Sequence, residues 1–202
     1  MLNSLSHSKM LQTAGKNQKR ALEIIQELNI TDIWQKYGCK ANLIGSLATG
    51  LLMKNRDIDF HIYSKETFSI DNSFKAIAEI AQNKQIKRIT YDNLLDMEDM
   101  CLEWHAYYED QDGLLWQIDM IHIKKESPYA GMMEKVAERI STLLTPEITE
   151  TILQIKYDTP DDVKIMGIEV YKAVIQNGVK NYREFIEWRK TQPSEKILTW
   201  MP

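Results

Sequence analysis

Carboxylates set inside strand-like sequence are the chemically suggestive feature of this chain. Asp57 and Asp59 lie in Arg56-Asp57-Ile58-Asp59-Phe60-His61-Ile62-Tyr63, and Asp119 lies in Trp116-Gln117-Ile118-Asp119-Met120-Ile121-His122-Ile123. Both stretches are rich in the β-branched and aromatic residues that favour strands. Burying an unpaired charge is costly, so such carboxylates call for compensation. Strand side chains alternate, which puts Asp57, Asp59, His61 and Tyr63 on one face and Ile58, Phe60 and Ile62 on the other. In the second stretch Gln117, Asp119, Ile121 and Ile123 oppose Trp116, Ile118, Met120 and His122. If the two strands are neighbours with their aspartate faces matched, three carboxylates converge, an oxygen-rich set suited to Mg²⁺ or Mn²⁺. The competing expectation is that each aspartate pairs with a lysine or arginine, or sits in water at a strand end.

Leu43-Ile44-Gly45-Ser46 ends a short apolar strand and opens a helical turn just ahead of the Asp57 stretch. Free backbone N–H groups at such a turn can bind an anion. Gly45 allows close approach of a phosphate, and the Ser46 hydroxyl can donate to it. A plain strand-to-helix turn is the alternative. The spacing of Gly45 and Gly50 resembles a P-loop only superficially, because Leu51 and Leu52 stand where Lys and Ser or Thr are required. The glycine pattern of a Rossmann dinucleotide site is absent.

Taken together, Gly45-Ser46, the following turn, Asp57-x-Asp59 and a third strand carboxylate at Asp119 resemble the signature of the DNA polymerase β-like nucleotidyltransferase superfamily. The likeness is to its small bacterial members and the aminoglycoside or lincosamide adenylyltransferases. It covers roughly residues 17–123, with a looser fit to the helical tail. One position departs from the pattern: Arg56 precedes the Asp-x-Asp where family members commonly carry Ser. The resemblance implies that Asp57 and Asp59 hold metal ions, that Asp119 completes the acceptor-side ion and helps take the acceptor proton, and that Gly45 and Ser46 grip a triphosphate. It implies two Mg²⁺ ions, with Mn²⁺ as a substitute, and a nucleoside triphosphate, ATP being the expected one. Two divalent ions roughly 3.5–4 Å apart stabilise the attacking and leaving oxygens of such a transfer together.

Several elements must position these residues. Ala21, Ile24, Ile25, Leu28, Ile30 and Ile33 follow helical spacing and predict a helix from about residue 16 to 37, broken near Asn29–Asp32 and ended by Gly38. A strand over 41–44, a helical turn over 47–53 and the Asp57 strand follow. Phe74, Ile77, Ala78 and Ile80 predict a helix after a turn at 71–73, and a weaker strand is expected near 86–91. Asp110-Gln111-Asp112-Gly113 is a hairpin turn signal between strands over 102–109 and 114–123. From Pro128 onward the pattern is helical. Val136, Ile140 and Leu143 share a stripe, Thr145-Pro146 opens a second helix, Thr159-Pro160 a third running to Gly178, and a fourth covers 182–190. The expected fold is therefore α+β: a nucleotidyltransferase-type mixed sheet with flanking helices over 1–125, and a C-terminal helical bundle over 126–202.

Composition bounds the partners. The 202 residues, 44% hydrophobic and 27% charged, are ordinary for a globular chain, and the net charge of −4 gives no overall positive field to attract a nucleic-acid backbone. A small hydroxylated molecule is the expected acceptor, with nucleic acid less favoured. Transfer to RNA or protein, or a non-catalytic binding module such as an antitoxin or regulator, are the rivals. Cys39 and Cys101 are too few for a disulfide framework. No secretion signal is evident at the start, and no window reaches the ~20 apolar residues of a membrane span. A cytoplasmic protein is expected.

Overall fold

The computed structural model describes residues 2–192 and 200–202, with side chains from residue 7 onward. Two compact units emerge, one of residues 19–48 and 56–134, the other of 1–18, 49–55 and 135–202.

The first unit is built on a five-stranded mixed sheet. Its strands are β1 (Cys39–Ile44), β2 (Asp57–Ser64), β3 (Ile86–Leu94), β4 (Cys101–Glu109) and β5 (Leu115–Ile123), in the order β1-β2-β5-β4-β3. β2 and β5 run parallel and the other neighbours antiparallel. One face carries Ile58, Phe60, Ile62, Leu102, Trp104, Ala106, Ile118 and Met120, all buried. Apolar residues of the helices α2 (Ile30–Lys36) and α4 (Ile70–Ile80), among them Ile30, Trp34, Ala76, Ile77 and Ile80, are buried in the same unit. Burial of this kind supplies most of the stabilisation of such elements.

Local chemistry sets the boundaries. Ser69 caps α4 by accepting from the Asn72 N–H at 3.1 Å, so the helix starts one residue before the turn that the sequence suggests. Asp110 pins the β4–β5 hairpin. Its Oδ1 accepts from the N–H groups of Asp112 (3.0 Å) and Leu114 (2.8 Å), and its Oδ2 from the Trp116 indole (3.0 Å). Burial alone would raise the Asp110 pKa, but these donors outweigh it and hold the carboxyl below its usual range.

The second unit is helical, with α5 (Met132–Leu143), α6 (Pro146–Asp158), α7 (Gly167–Asn177) and α8 (Tyr182–Lys190). Its core includes Val136, Ile140, Ile152, Ile155, Val170, Ala173 and Phe185, joined by Met10 and Ala14 and by Leu51 and Met53. Three expectations differ here. Helix α1 spans Leu2–Glu27, because Met10 and Ala14 extend the apolar stripe into a segment that looks merely polar in sequence. The helical turn after Gly45 is only α3 (Gly45–Ala48); Gly50, at φ +73°, ends it and 51–53 are buried without helix. Thr159 closes α6 rather than opening a helix, its hydroxyl donating to the Ile155 carbonyl at 2.8 Å. The next helix begins at Gly167, where Glu169 accepts from the Met166 N–H. Among the described residues no helix is long and apolar enough to cross a membrane.

Candidate active site

The polar face of the sheet gathers the residues whose types suggest chemistry. In the parallel register Asp59 stands beside Asp119 and Asp57 beside Gln117. Paired residues of neighbouring strands point to the same side, so the three aspartates share one face. All three are partly exposed, whereas Ile58, Phe60, Ile118 and Met120 between them are buried. The β2–β5 pairing begins where the Gln117 N–H donates to the Arg56 carbonyl at 2.7 Å.

Gly45 packs directly against this group. It follows Ile44, which pairs with Asp59 across the antiparallel β1–β2 ladder. Its φ is +69°, and a Cβ placed there would lie 2.1 Å from Asp59 Oδ2 and 2.9 Å from Cγ. Glycine is required at this position both by backbone conformation and by the adjacent carboxylate. Ser46 follows at the start of α3.

Asp119 is held by two neighbours. His105 Nδ1 lies 2.6 Å from its Oδ1, and Gln117 Nε2 donates to Oδ1 at 2.9 Å and to Oδ2 at 3.2 Å. The neighbour of Asp119 on the facing strand is therefore a histidine in hydrogen-bonding contact, where the sequence offered lysine or arginine as the alternative to metal. His105 Nε2 is 3.6 Å from Glu103 Oε2, and Asp92, Glu103 and His105 bring one ligand atom each within 4.8 Å of one another. Burial pushes the Glu103 carboxyl above its usual range, with Asp99 and Asp92 adding to the rise against the opposing pull of His105.

Other sequence candidates take different places. His61, two positions past Asp59 on the same face, lies 3.3 Å from Glu134 Oε2 and 3.3 Å from the Tyr63 hydroxyl. Burial would raise the Glu134 pKa, yet His61, a backbone N–H and Tyr63 together outweigh it and bring that carboxyl down to about 2. His122 is buried on the opposite face, in contact with the rings of Trp34 and Phe68, with Nε2 3.0 Å from Ser64 Oγ. Lys54, just before the Asp57 strand, pairs with Asp161 at 2.8 Å and donates to the Thr159 carbonyl.

This geometry meets an independent finding: the family model described as a nucleotidyltransferase domain matches residues 19–186. The chain belongs to the nucleotidyltransferase domain family. No curated protein matches it in sequence. Solved structures similar to this nucleotidyltransferase domain include the poly(A) polymerase complex GLD-2–GLD-3, with TM-score 0.58 and 10% identity over 88% of this chain and 60% of that one. The Cid1 poly(U) polymerase bound to MgGTP gives TM-score 0.57 and 12% identity over 83% and 54%. A cytoplasmic RNA terminal U-transferase gives TM-score 0.52 and 13% identity over 84% and 50%. The domain thus spans between half and three-fifths of these chains, and at such identities the likeness is one of fold.

Proposed function

We propose that this domain is a divalent-metal-dependent nucleotidyltransferase that moves a nucleoside monophosphate, AMP from ATP, onto an acceptor hydroxyl and releases pyrophosphate. The observation that carries the reading is the parallel pairing of Asp59 with Asp119, with Asp57 on the same partly exposed face. The donor set fits the ion: carboxylate oxygens are what Mg²⁺ and Mn²⁺ prefer, and Gly45 leaves the Asp59 carboxylate the space a side chain would take.

In this reading Asp57, Asp59 and Asp119 would hold two ions. When bound, they supply charge neutralisation at the attacking and departing oxygens. Backbone N–H groups at Gly45 and the Ser46 hydroxyl grip the triphosphate. Asp119 also receives the acceptor proton, which demands an oxygen aimed at the acceptor and held there. ATP and Mg²⁺ are abundant in the cytoplasm, the compartment this reading assigns.

A small hydroxylated, cationic acceptor is supported by the net charge of −4 and by the carboxylates of Asp57, Asp59, Asp119 and Glu103 on one sheet face. A second reading, nucleotide addition to an RNA 3′ end, is favoured by the similar structures, which are those of RNA-directed polymerases and transferases. Pyrophosphate release from Mg²⁺ and ATP, measured against a panel of aminated, hydroxylated small molecules and an RNA oligomer, separates them. Asp59→Ala is expected to retain its thermal melt and lose on the order of 10³-fold in turnover. Full activity of that variant would refute the assignment. ATP binding without turnover on any acceptor would favour a non-catalytic module.

A further inference from the structure

We propose that His105 is the positioning residue of Asp119, fixing the orientation of the carboxylate that, on the reading above, ligates a divalent ion. An ionised carboxylate has no proton to give, so in the 2.6 Å contact His105 Nδ1–H is the donor and Asp119 Oδ1 the acceptor. The ring's other nitrogen lies 3.6 Å from Glu103 Oε2, outside hydrogen-bond distance, so the Asp119 contact is the one that orients the ring. Both side chains are only about a quarter exposed, at 24% for His105 and 21% for Asp119, which limits competition from water.

The arrangement is built by the sheet. His105 and Asp119 are directly paired across the β4–β5 hairpin, and Asp59 lies beside Asp119 on its other side. Asp119 is therefore the middle member of the row His105, Asp119, Asp59. With Oδ1 taken by His105 and Gln117, and Gln117 steadying Oδ2 at the longer distance of 3.2 Å, rotation of the carboxylate is restricted. Hydrogen-bonded neighbours of metal-binding side chains commonly change metal affinity 10–100-fold when removed. Nothing in the hydrophobic core explains the placement, because this histidine lies on the polar face.

The test measures Mn²⁺ binding by electron paramagnetic resonance in the presence of a non-hydrolysable ATP analogue, without turnover. Four variants of the full chain are compared with the parent: Asp119→Asn, His105→Ala, His105→Phe and His105→Asn. The last keeps an amide N–H near the position of Nδ1. Mn²⁺ affinity is expected to fall 10–100-fold in His105→Ala and His105→Phe and to recover to within about threefold of the parent in His105→Asn. Unaltered thermal melts for His105→Phe and His105→Asn keep the comparison valid should His105→Ala not fold. Parent-like affinity in His105→Phe, or equal losses in His105→Phe and His105→Asn, overturns the positioning role. If Asp119→Asn itself binds Mn²⁺ like the parent, the metal-ligand reading of Asp119 fails instead.

Discussion

Gly45→Ala is the perturbation whose size follows most directly from the structure. The added Cβ would sit 2.1 Å from Asp59 Oδ2, where ordinary contact begins at 3.4 Å, so carboxylate and loop must separate by roughly 1.3 Å. Turning the Asp59 side chain moves Oδ2, but Asp59 Cβ, only 3.2 Å away, is fixed by the strand. The alanine must also hold φ near +69°, which costs about 1 kcal/mol on its own. A displacement of about 1 Å at a catalytic group is worth on the order of 10²-fold in rate. Gly113→Ala is the control: its φ is +71° and no atom lies within 4 Å of the added Cβ, so it pays the backbone strain alone. Pyrophosphate release and thermal denaturation of both variants give the answer. Gly113→Ala is expected to lose about 1 kcal/mol of stability and Gly45→Ala more than that, and only Gly45→Ala to lose about 10²-fold in turnover. Parent-like turnover in Gly45→Ala, or an equal loss in Gly113→Ala, refutes the reasoning.

Further expectations concern the metal carboxylates, the hairpin and the core. Asp57→Ala is expected to abolish Mg²⁺-dependent turnover, by about 10³-fold, while circular dichroism stays unchanged; retention of turnover would remove Asp57 from the site. Asp110→Ala removes the acceptor for two backbone N–H groups and the buried Trp116 indole, and should cost about 2–4 kcal/mol in urea denaturation. A cost under 0.5 kcal/mol would show that the turn holds its register without it. Burial brings the His122 pKa from 6.5 down to about 4, so between those values the unfolded chain binds a proton that the folded chain does not. Stability is therefore present above pH 6.5 and falls as pH drops toward 4, by up to about 1.4 kcal/mol per pH unit from this group. His122→Gln should flatten that slope in melts taken across this range, and an unchanged slope would exonerate His122.

The aspartates were legible in sequence because strand alternation is local. Asp57 and Asp59 share a face whatever their neighbours do, and apolar residues at 58, 60 and 62 leave one face to bury. The pairing of Asp59 with Asp119 depends on strands far apart in the chain; alternation left it conditional on the strands being neighbours, and the family resemblance pointed the same way. His105 escaped because its contact is cross-strand and depends on the exact register: the β4–β5 pairs are symmetric about Asp112, which brings 105 opposite 119, whereas a four-residue turn at Asp110–Gly113 would have brought it opposite 118. Gly45 was recognised as a site for close approach, but the group it touches here is the Asp59 carboxylate. Helix α1 was read too short, since Met10 and Ala14 are isolated apolar residues among polar ones and their burial comes from tertiary packing. Thr159-Pro160 has the residues of a helix start, and α6, running in from Pro146, makes them a stop.

Locating the bound ion decides whether the three aspartates form a metal site. Crystals grown with Mn²⁺ and a non-hydrolysable ATP analogue, measured for anomalous scattering from manganese, should give peaks among the carboxylates of Asp57, Asp59 and Asp119, with the triphosphate against Gly45 and Ser46. Manganese found only at Asp92, Glu103 and His105, or a triphosphate bound away from Asp59, would contradict the account.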